Sequence, residues 1–271
     1  AQDLAGMGVD VRAALAALDA VEAEARPADA DRRALFLRAR WAIRKLAFSN
    51  PLLGFQSLLF VKRAPGTFSH MSDQNYGWWS RPGGGLYILE GLDGGEPGLR
   101  SLTPPFPEGS YNSPDLSPDG TRILFSYCRY YPDLSGRPDK TAKAQMPADG
   151  YYHVFEMNVD GGGVRQLTDG PYDDFDARYL PNGDIVFLST RRGQAVQCKP
   201  ATAMATIGAD LPDCYVRCGG GPERPVAVYT LHTMEADGTG LNAISPFEMF
   251  EWTPSVAHDG SILYSRWDYV D

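Results

Sequence analysis

The stretches "LSPDGTRILFS" (116–126), "YLPNGDIVFLS" (179–189) and "VAHDGSILYSR" (256–266) are three copies of one pattern. Each copy closes one strand-like run, places a glycine directly after Asp or Asn, and opens a run rich in β-branched and aromatic residues. Because Gly, Asn and Asp tolerate the positive φ of a tight two-residue turn, each copy predicts a β-hairpin. The aligned turn glycines are Gly120, Gly183 and Gly260.

A second series of hairpins alternates with the first along the chain. Its members are "LEGLDGGEPGLRSLT" (89–103), "MNVDGGGVRQLT" (157–168) and "MEADGTGLNAIS" (234–245). Together the two series predict a unit of strand, turn, strand, long loop, strand, turn and strand. Repetition of such four-stranded units indicates a β-propeller, so the predicted fold class is mainly β.

The predicted propeller segment is 51–271. Its blades are predicted at about 58–103, 112–168, 175–245 and 250–271. The first blade is incomplete and the fourth contains only its beginning, so we expect three to four blades. Because a propeller ring has roughly four to eight blades, we expect further blades or domains beyond this chain.

Residues 1–50 are predicted to form an N-terminal helical segment. Its second amphipathic stretch carries Leu37 and Trp41 on one stripe, and Asp29 or Asp31 is predicted to cap its start. Because an apolar stripe must be buried against something, we expect this helical hairpin to pack on the following domain.

The charge of the chain narrows the classes of partner. Twenty-five basic and 34 acidic residues give a net charge of −9. Nucleic acids and anionic membranes attract basic surfaces, so neither is an expected partner. No apolar run approaches the roughly 20 residues that a membrane-spanning helix needs. We expect a protein or a small molecule to bind at the propeller face.

The hairpin unit resembles the TolB-like propeller repeat, whose rings usually have six blades. Several segments more closely resemble the middle domain of the hydrazine synthase alpha subunit family, over roughly residues 35–271. These segments are "LLFVKR" (58–63), "HMSDQNYGWW" (70–79), "GGGLYILE" (83–90), "LTDGPYDDFDARYLPNGDIVFLSTR" (167–191) and "EWTPSVAHDGSILYSRWDYVD" (251–271). The resemblance implies an exported bacterial protein, periplasmic or at the cell surface.

The resemblance leaves two functions open. Hydrazine synthase makes hydrazine from nitric oxide and ammonia with covalently bound c-type haems and a zinc ion. This sequence contains no C-x-x-C-H haem motif, and Ser72 stands where relatives often carry Cys. The first function is therefore a non-catalytic binding or docking scaffold, with no cofactor encoded in the chain. The second is a redox enzyme subunit of hydrazine synthase type, for which haem c or zinc would be required.

The acidic segment "YDDFD" (172–176) lies where the chain crosses from one predicted blade to the next. Its carboxylates are Asp173, Asp174 and Asp176. Asp176 precedes Gly183 by seven residues, and the sister segments place Ser113 and Thr253 at the same offset. We therefore expect these three residues at equivalent positions on successive blades, with side chains bonded to neighbouring backbone. A cation or ligand site at the channel mouth is the alternative, and an acid/base pair is a third.

The loop "HMSDQNYGWW" (70–79) mixes polar and aromatic residues between the first two strands. His70 and Asp73 have the side chains of metal ligands. Tyr76, Trp78 and Trp79 could stack on a bound ligand. The alternative is a plug that covers the end of the blade with buried aromatic rings.

The beginning of the fourth blade supplies the remaining ligand candidates. Glu251 and Trp252 open its first strand, and Arg266 and Asp268 follow its second strand-like run. The alternative to a ligand site is an Arg–carboxylate pair that braces neighbouring blades.

A long insertion, 192–224, interrupts the third predicted blade and carries Cys198, Cys214 and Cys218. No histidine lies near these cysteines, so a disulfide among them is favoured over a metal site. Buried free thiols are the alternative.

Overall fold

The structure is a computed structural model of the chain. It describes residues 2–27, 30–67, 71–92, 97–134, 143–191, 216–218, 225–247 and 250–267. The helices are α1 (Gln2–Gly6), α2 (Arg12–Glu24), α3 (Arg32–Phe48) and α4 (Met71–Asn75), with short 3-10 turns at Lys143–Gln145 and Ala148–Gly150. The strands are β1 (Ser57–Lys62), β2 (Gly85–Glu90), β3 (Gly98–Ser101), β4 (Gly109–Leu116), β5 (Arg122–Arg129), β6 (His153–Asn158), β7 (Arg165–Gln166), β8 (Asp174–Tyr179), β9 (Ile185–Ser189), β10 (Val216–Cys218), β11 (Pro225–Ala227), β12 (Thr230–Met234), β13 (Asn242–Ala243), β14 (Glu251–Val256) and β15 (Ile262–Arg266).

The chain divides into two compact units. One contains residues 1–59 and 88–100, and the other contains 60–87 and 101–271. The predicted division at residue 50 stays a prediction. Within the described residues, no helix has the length and apolar character that crossing a bilayer requires.

The predicted helical hairpin is confirmed in α2 and α3. Asp31 is the N-cap of α3, because its carboxylate accepts hydrogen bonds from the backbone N–H groups of Arg33 (3.1 Å) and Ala34 (3.0 Å). An ion pair between Arg38 and Glu24 joins the two helices. Leu37 and Trp41, the stripe expected to be buried, are 48% and 46% exposed, and packing of the hairpin on the following domain stays a prediction.

Two complete four-stranded blades confirm the predicted repeat. One sheet has the order β4-β5-β6-β7, and the other has the order β8-β9-β12-β13. All neighbouring strands in both sheets are antiparallel. The strands β1, β2 and β3 form a three-stranded sheet, and the pairs β14-β15 and β10-β11 form two-stranded sheets. The chain therefore has a mainly β propeller fold.

The Asp-Gly and Asn-Gly turns differ from the expected two-residue turn. Only the glycine of each described pair has a positive φ, for example 71° at Gly120. The Gly120 N–H donates to the Ser117 carbonyl three residues earlier (2.8 Å), and the Asp119 carboxylate accepts from the Thr121 N–H (3.1 Å). The same two bonds recur in the other four described turns, at Asp160-Gly161, Asn182-Gly183, Asp237-Gly238 and Asp259-Gly260. The acidic or amide side chain is therefore selected as a local acceptor and not for a positive φ.

The first strand of three successive blades contains the same β-bulge. Its first bulged residue has a left-handed backbone: φ is 46° at Ser113, 55° at Asp176 and 47° at Thr253. In each strand two residues face one residue of the partner strand. The three residues thus occupy equivalent positions on successive blades, as the spacing predicts.

Neighbouring blades are joined through backbone groups at equivalent places. The Asp174 N–H at the start of β8 donates to the Tyr152 carbonyl (2.8 Å), and the Glu251 N–H at the start of β14 donates to the Tyr229 carbonyl (3.2 Å). A Cβ at Gly238 would come within 2.4 Å of the Leu167 carbonyl oxygen in the preceding blade, so only glycine fits this contact.

A buried carboxylate also links the two complete blades. Glu156 on β6 receives bonds from Arg122 (3.2 Å), Arg165 (2.8 Å) and the Tyr179 hydroxyl (2.9 Å) of the next blade. Arg165 additionally donates to the Ala236 carbonyl (2.7 Å). This network fixes the spacing of the two sheets through charge-assisted bonds.

The bulge makes a prediction about stability at Thr253. A β-branched residue in the left-handed region is strained by about 1–2 kcal/mol, and glycine removes that strain. Ser255, also exposed, lies two residues further along the same strand without a positive φ. Ser255→Gly should lower the free energy of unfolding by about 0.5–1 kcal/mol. Thr253→Gly should be neutral or stabilising, measured by urea denaturation.

The comparison of the two variants isolates backbone strain, because both introduce the same glycine into the same strand. An equal loss of stability in Thr253→Gly and Ser255→Gly would contradict the strained bulge.

Candidate functional site

The three carboxylates of the inter-blade crossing are buried and hold separate partners. Asp173 accepts from the Tyr152 N–H (3.0 Å) and the Tyr76 hydroxyl (3.4 Å). Asp174 accepts from the Ser189 hydroxyl (2.6 Å) and Arg191 Nη2 (2.7 Å). These contacts are those of the architectural alternative, in which loop carboxylates hold neighbouring segments.

Asp176 has its partner within its own strand. Its carboxylate forms an ion pair with Arg178 Nη2 at 2.6 Å, and the Arg178 Nη1 donates to the Ala177 carbonyl (2.8 Å). Arg178 also reaches the Ser113 carbonyl at the equivalent bulge of the preceding blade (3.4 Å). The Asp176–Arg178 pair therefore connects two bulges of successive blades.

Burial changes the acidity of one of these groups. It raises the pKa of the Asp174 carboxyl, while the positive charge of Arg191 and the hydrogen bond from Ser189 act in the opposite direction. Arg191 in turn lies over the Tyr172 ring, with its guanidinium carbon 4.5 Å from the ring centroid. Asp174 is thus the centre of a closed side-chain cluster.

The loop after β1 places its aromatic residues in the core. Tyr76, Trp78 and Trp79 are each only 4–5% exposed. Asp73 is fully buried, accepts from the Trp78 N–H (3.0 Å) and pairs with Arg81 (3.3 Å). The arrangement matches the plug alternative for this loop.

Tyr76 lies at the centre of the aromatic cluster. Its ring stacks on Phe175 at 4.1 Å and meets Tyr152 and Tyr229 edge to face. Burial, reinforced by the negative charge of Asp173, raises the pKa of the Tyr76 hydroxyl well above its ordinary value. The hydroxyl therefore remains protonated and donates to Asp173.

The fourth-blade candidates occupy two environments. Glu251 is fully buried and accepts from the Leu231 N–H (2.6 Å) and the Ser245 hydroxyl (2.6 Å). Burial raises the pKa of its carboxyl, opposed first by the Ser245 hydrogen bond and least by the charge of Arg266. Arg266 is exposed and lies 3.8 Å above the Phe247 ring.

One groove brings two of the predicted segments together. It has a volume of about 460 Å³ and lies between α4 and the β14-β15 hairpin. Its lining residues are Met71, Asn75, Trp252, Ser265, Arg266 and Trp267. Trp252 and Arg266 were predicted as ligand candidates, whereas Met71, Asn75 and Ser265 were not. The sequence signal that could have found Met71 and Asn75 is their position inside the loop "HMSDQNYGWW".

The indole nitrogen of Trp252 is buried without a hydrogen-bond partner among the described residues. The side chain as a whole is 7% exposed. Its ring contacts Tyr229 (5.1 Å) and Trp267 (6.2 Å). The Nε1–H is thus enclosed, and Trp252 contributes the surface of its ring to the groove.

Several of the predicted residues lie outside the part of the chain that the structure describes. His70, Asp268, Cys198 and Cys214 lie outside the described residues, as does the Cys218 side chain, so the His70–Asp73 metal site and the disulfide stay predictions. Among the residues that the structure describes, no group of three or more His, Cys, Asp and Glu side chains is arranged to hold a metal ion.

Comparison with known proteins finds similar solved structures at low sequence identity. No protein-family model matches the chain, and no curated protein matches its sequence. Similar solved structures include a TolB from Agrobacterium tumefaciens (19% identity, TM-score 0.43, 68% of this chain and 46% of that one) and the hydrazine synthase of Kuenenia stuttgartiensis (16%, 0.47, 77% and 27%). An oligogalacturonate lyase in complex with manganese is also similar (13%, 0.39, 68% and 44%).

The chain spans 27–46% of the length of the three structures. The two complete four-stranded antiparallel sheets, by themselves, give the mainly β propeller fold.

The raised pKa of Glu251 predicts a pH-dependent effect of Glu251→Gln. Because the folded state binds this proton more tightly than the ordinary pKa of 4.5 implies, the free energy of unfolding falls as pH rises from 4.5 through the folded pKa. Gln keeps one of the two acceptor oxygens and does not titrate, so the loss of the second acceptor does not depend on pH. The variant should therefore gain stability relative to the parent as pH rises above about 4.5, measured by chemical denaturation.

Asp119→Asn is the control of opposite sign. Hydrogen bonds from Ser117 and Thr121 lower the pKa of Asp119 to about 2. Its variant should lose stability relative to the parent as pH rises from about 2 through 3.8. If the free energies of unfolding of Glu251→Gln and the parent differed by the same amount at every pH, the raised pKa of Glu251 would be contradicted.

The Asp174–Arg191 pair predicts a structural role for the acidic crossing. Asp174→Asn breaks a buried ion pair and should lower the free energy of unfolding by about 3 kcal/mol. Asp169→Asn, at an exposed residue of the same loop, should change it by less than about 0.5 kcal/mol. Equal effects of the two substitutions in urea denaturation would contradict a structural Asp174.

Proposed function

We propose that the chain is a propeller module of an exported bacterial protein resembling the hydrazine synthase alpha subunit middle domain, and that it serves as a binding or docking scaffold. The ligand site is the groove between α4 and the β14-β15 hairpin. Tryptophan and arginine are enriched among the hot-spot residues that contribute most of the binding energy at interfaces. The groove contains two tryptophans and one arginine.

The observation that carries this proposal is that two tryptophan rings and one arginine line the same groove. The groove has a volume of about 460 Å³, within the range of roughly 300–1,000 Å³ typical of ligand pockets. The carboxylates nearby are engaged in structure: Glu251 bonds to Leu231 and Ser245, and Asp73 bonds to Trp78 and Arg81. The groove is therefore suited to recognition, with binding groups at its wall and no acid/base pair among its six lining residues.

The lining residues define the class of ligand. Trp252 and Trp267 offer aromatic surface, Arg266 carries a positive charge, and none of the six lining residues is acidic. Such a surface suits an apolar or aromatic group that carries a carboxylate, because the tryptophan rings contact the apolar part and the guanidinium donates to the carboxylate oxygens. Peptide C-termini, acidic side chains beside aromatic ones and small aromatic acids share this chemistry.

The test uses N-acetyl-phenylalanine and its uncharged amide as probes. Titration into the ¹⁵N-labelled chain should shift the indole N–H signal of Trp252, assigned with Trp252→Phe. The carboxylate probe should bind more tightly than the amide. Arg266→Gln should weaken carboxylate binding about tenfold, since a hydrogen bond to a charged group is worth about 1.5–3 kcal/mol.

Arg129→Gln is the matched control. Arg129 is a half-exposed arginine that also lies over an aromatic ring, Tyr131 at 4.9 Å, in another blade. Its substitution should leave probe binding unchanged. Absence of any Trp252 shift, or equal binding of the two probes, would overturn the carboxylate-binding groove.

An absorbance spectrum and a metal analysis of the purified full-length protein separate the scaffold from the redox enzyme. A Soret band with stoichiometric iron would contradict a non-catalytic module and support the haem-containing alternative.

A further inference from the structure

Helix α3 is strongly basic on a chain that is acidic overall. Its 17 residues contain five arginines and Lys45 but no Asp or Glu, whereas the whole chain has a net charge of −9. One side of the helix is buried, through Leu35 and Ala42. The opposite side of the helix is exposed.

The exposed side carries large apolar side chains in two adjacent rows. Phe36, Arg40 and Ile43 follow at intervals of four and three residues, and Leu37, Trp41 and Arg44 do the same. Phe36 is 62% exposed, and the other three apolar members are 46–48% exposed. These six residues, here called the α3 outer face, border a shallow groove of about 540 Å³.

One charged member of the face, Arg44, is held between aromatic rings. The guanidinium carbon of Arg44 lies 5.3 Å from the centroid of Trp41 and 5.4 Å from that of Phe48. Arg44 Nη2 also donates to the Leu92 carbonyl at 3.2 Å. A guanidinium positioned in this way loses less conformational entropy when an acidic group binds it.

The distribution of charge distinguishes a protein partner from a lipid surface. Helices that lie on membranes separate an apolar face from a basic face. Here Arg40 lies between Phe36 and Ile43 in one row, and Arg44 follows Trp41 in the next. Aromatic residues and arginine mixed in one patch are instead typical of protein interfaces.

A second copy of the chain does not suit this surface. A symmetric dimer would place the same patch of both subunits in contact, and two helices with six basic and no acidic residues would repel each other. We propose that the α3 outer face binds an acidic segment of another protein, in which carboxylates alternate with apolar side chains. This inference is independent of the groove and its ligand.

A synthetic amphipathic helical peptide of Leu and Glu is the probe. Fluorescence anisotropy of the labelled peptide with the whole chain should show saturable binding that weakens with added salt. A scrambled peptide of the same composition should bind less tightly. Phe36→Ser and Arg40→Glu should each weaken binding at least about tenfold, as expected for central interface residues.

Lys45→Glu is the matched control. Lys45 is an exposed cation of the same helix that does not belong to the outer face, so its reversal should change binding less than about threefold. All substituted side chains are exposed, and circular dichroism verifies that each variant folds. Leu37→Ser serves as a second apolar variant if Phe36→Ser unfolds.

Four results would overturn the proposal. One is equal binding of the scrambled peptide, and another is an effect of Lys45→Glu as large as that of Arg40→Glu. A third is binding to phosphatidylcholine–phosphatidylglycerol vesicles that Phe36→Ser weakens while the peptide does not bind. The fourth is concentration-dependent self-association in sedimentation that Phe36→Ser abolishes.

Discussion

A left-handed residue in the first strand of three successive blades is the constraint on which the propeller unit depends. Ser113, Asp176 and Thr253 all leave the ordinary strand conformation seven residues before a turn glycine. The extra residue bends the strand and increases its twist. A backbone bond to the preceding blade recurs at the starts of β8 and β14.

Buried carboxylates join the elements that this backbone arrangement brings together. Asp174 is fixed by Arg191, Glu251 by Leu231 and Ser245, and Glu156 by groups from two blades. These acidic residues are candidates for a catalytic or metal site when only the sequence is considered. In the structure they accept hydrogen bonds inside the protein. The groove beside α4 is lined instead by aromatic rings and by side chains that can donate hydrogen bonds. This composition is typical of a ligand pocket.

The parts of the structure that follow from local chemistry could be predicted from the sequence. The hairpins, their order and the equivalence of Asp176 with Ser113 depend on spacing to a turn glycine, which is visible in the residues. The groove could not be predicted, because Asn75 and Arg266 meet only after several blades have packed. The turn geometry was predicted in part: the side chain of Asp119 acts as an acceptor, which a rule based on φ does not reveal.

The pairing of β9 with β12 has a consequence for how this protein can vary. Ser189 and Thr230 face each other in the ladder, so the long segment between them leaves and re-enters the blade at adjacent points. Lengthening a loop whose ends already meet adds little closure entropy, growing only with the logarithm of its length. This corner of the third blade can thus accept a change in the length of the connection without a change in the register of β9 and β12.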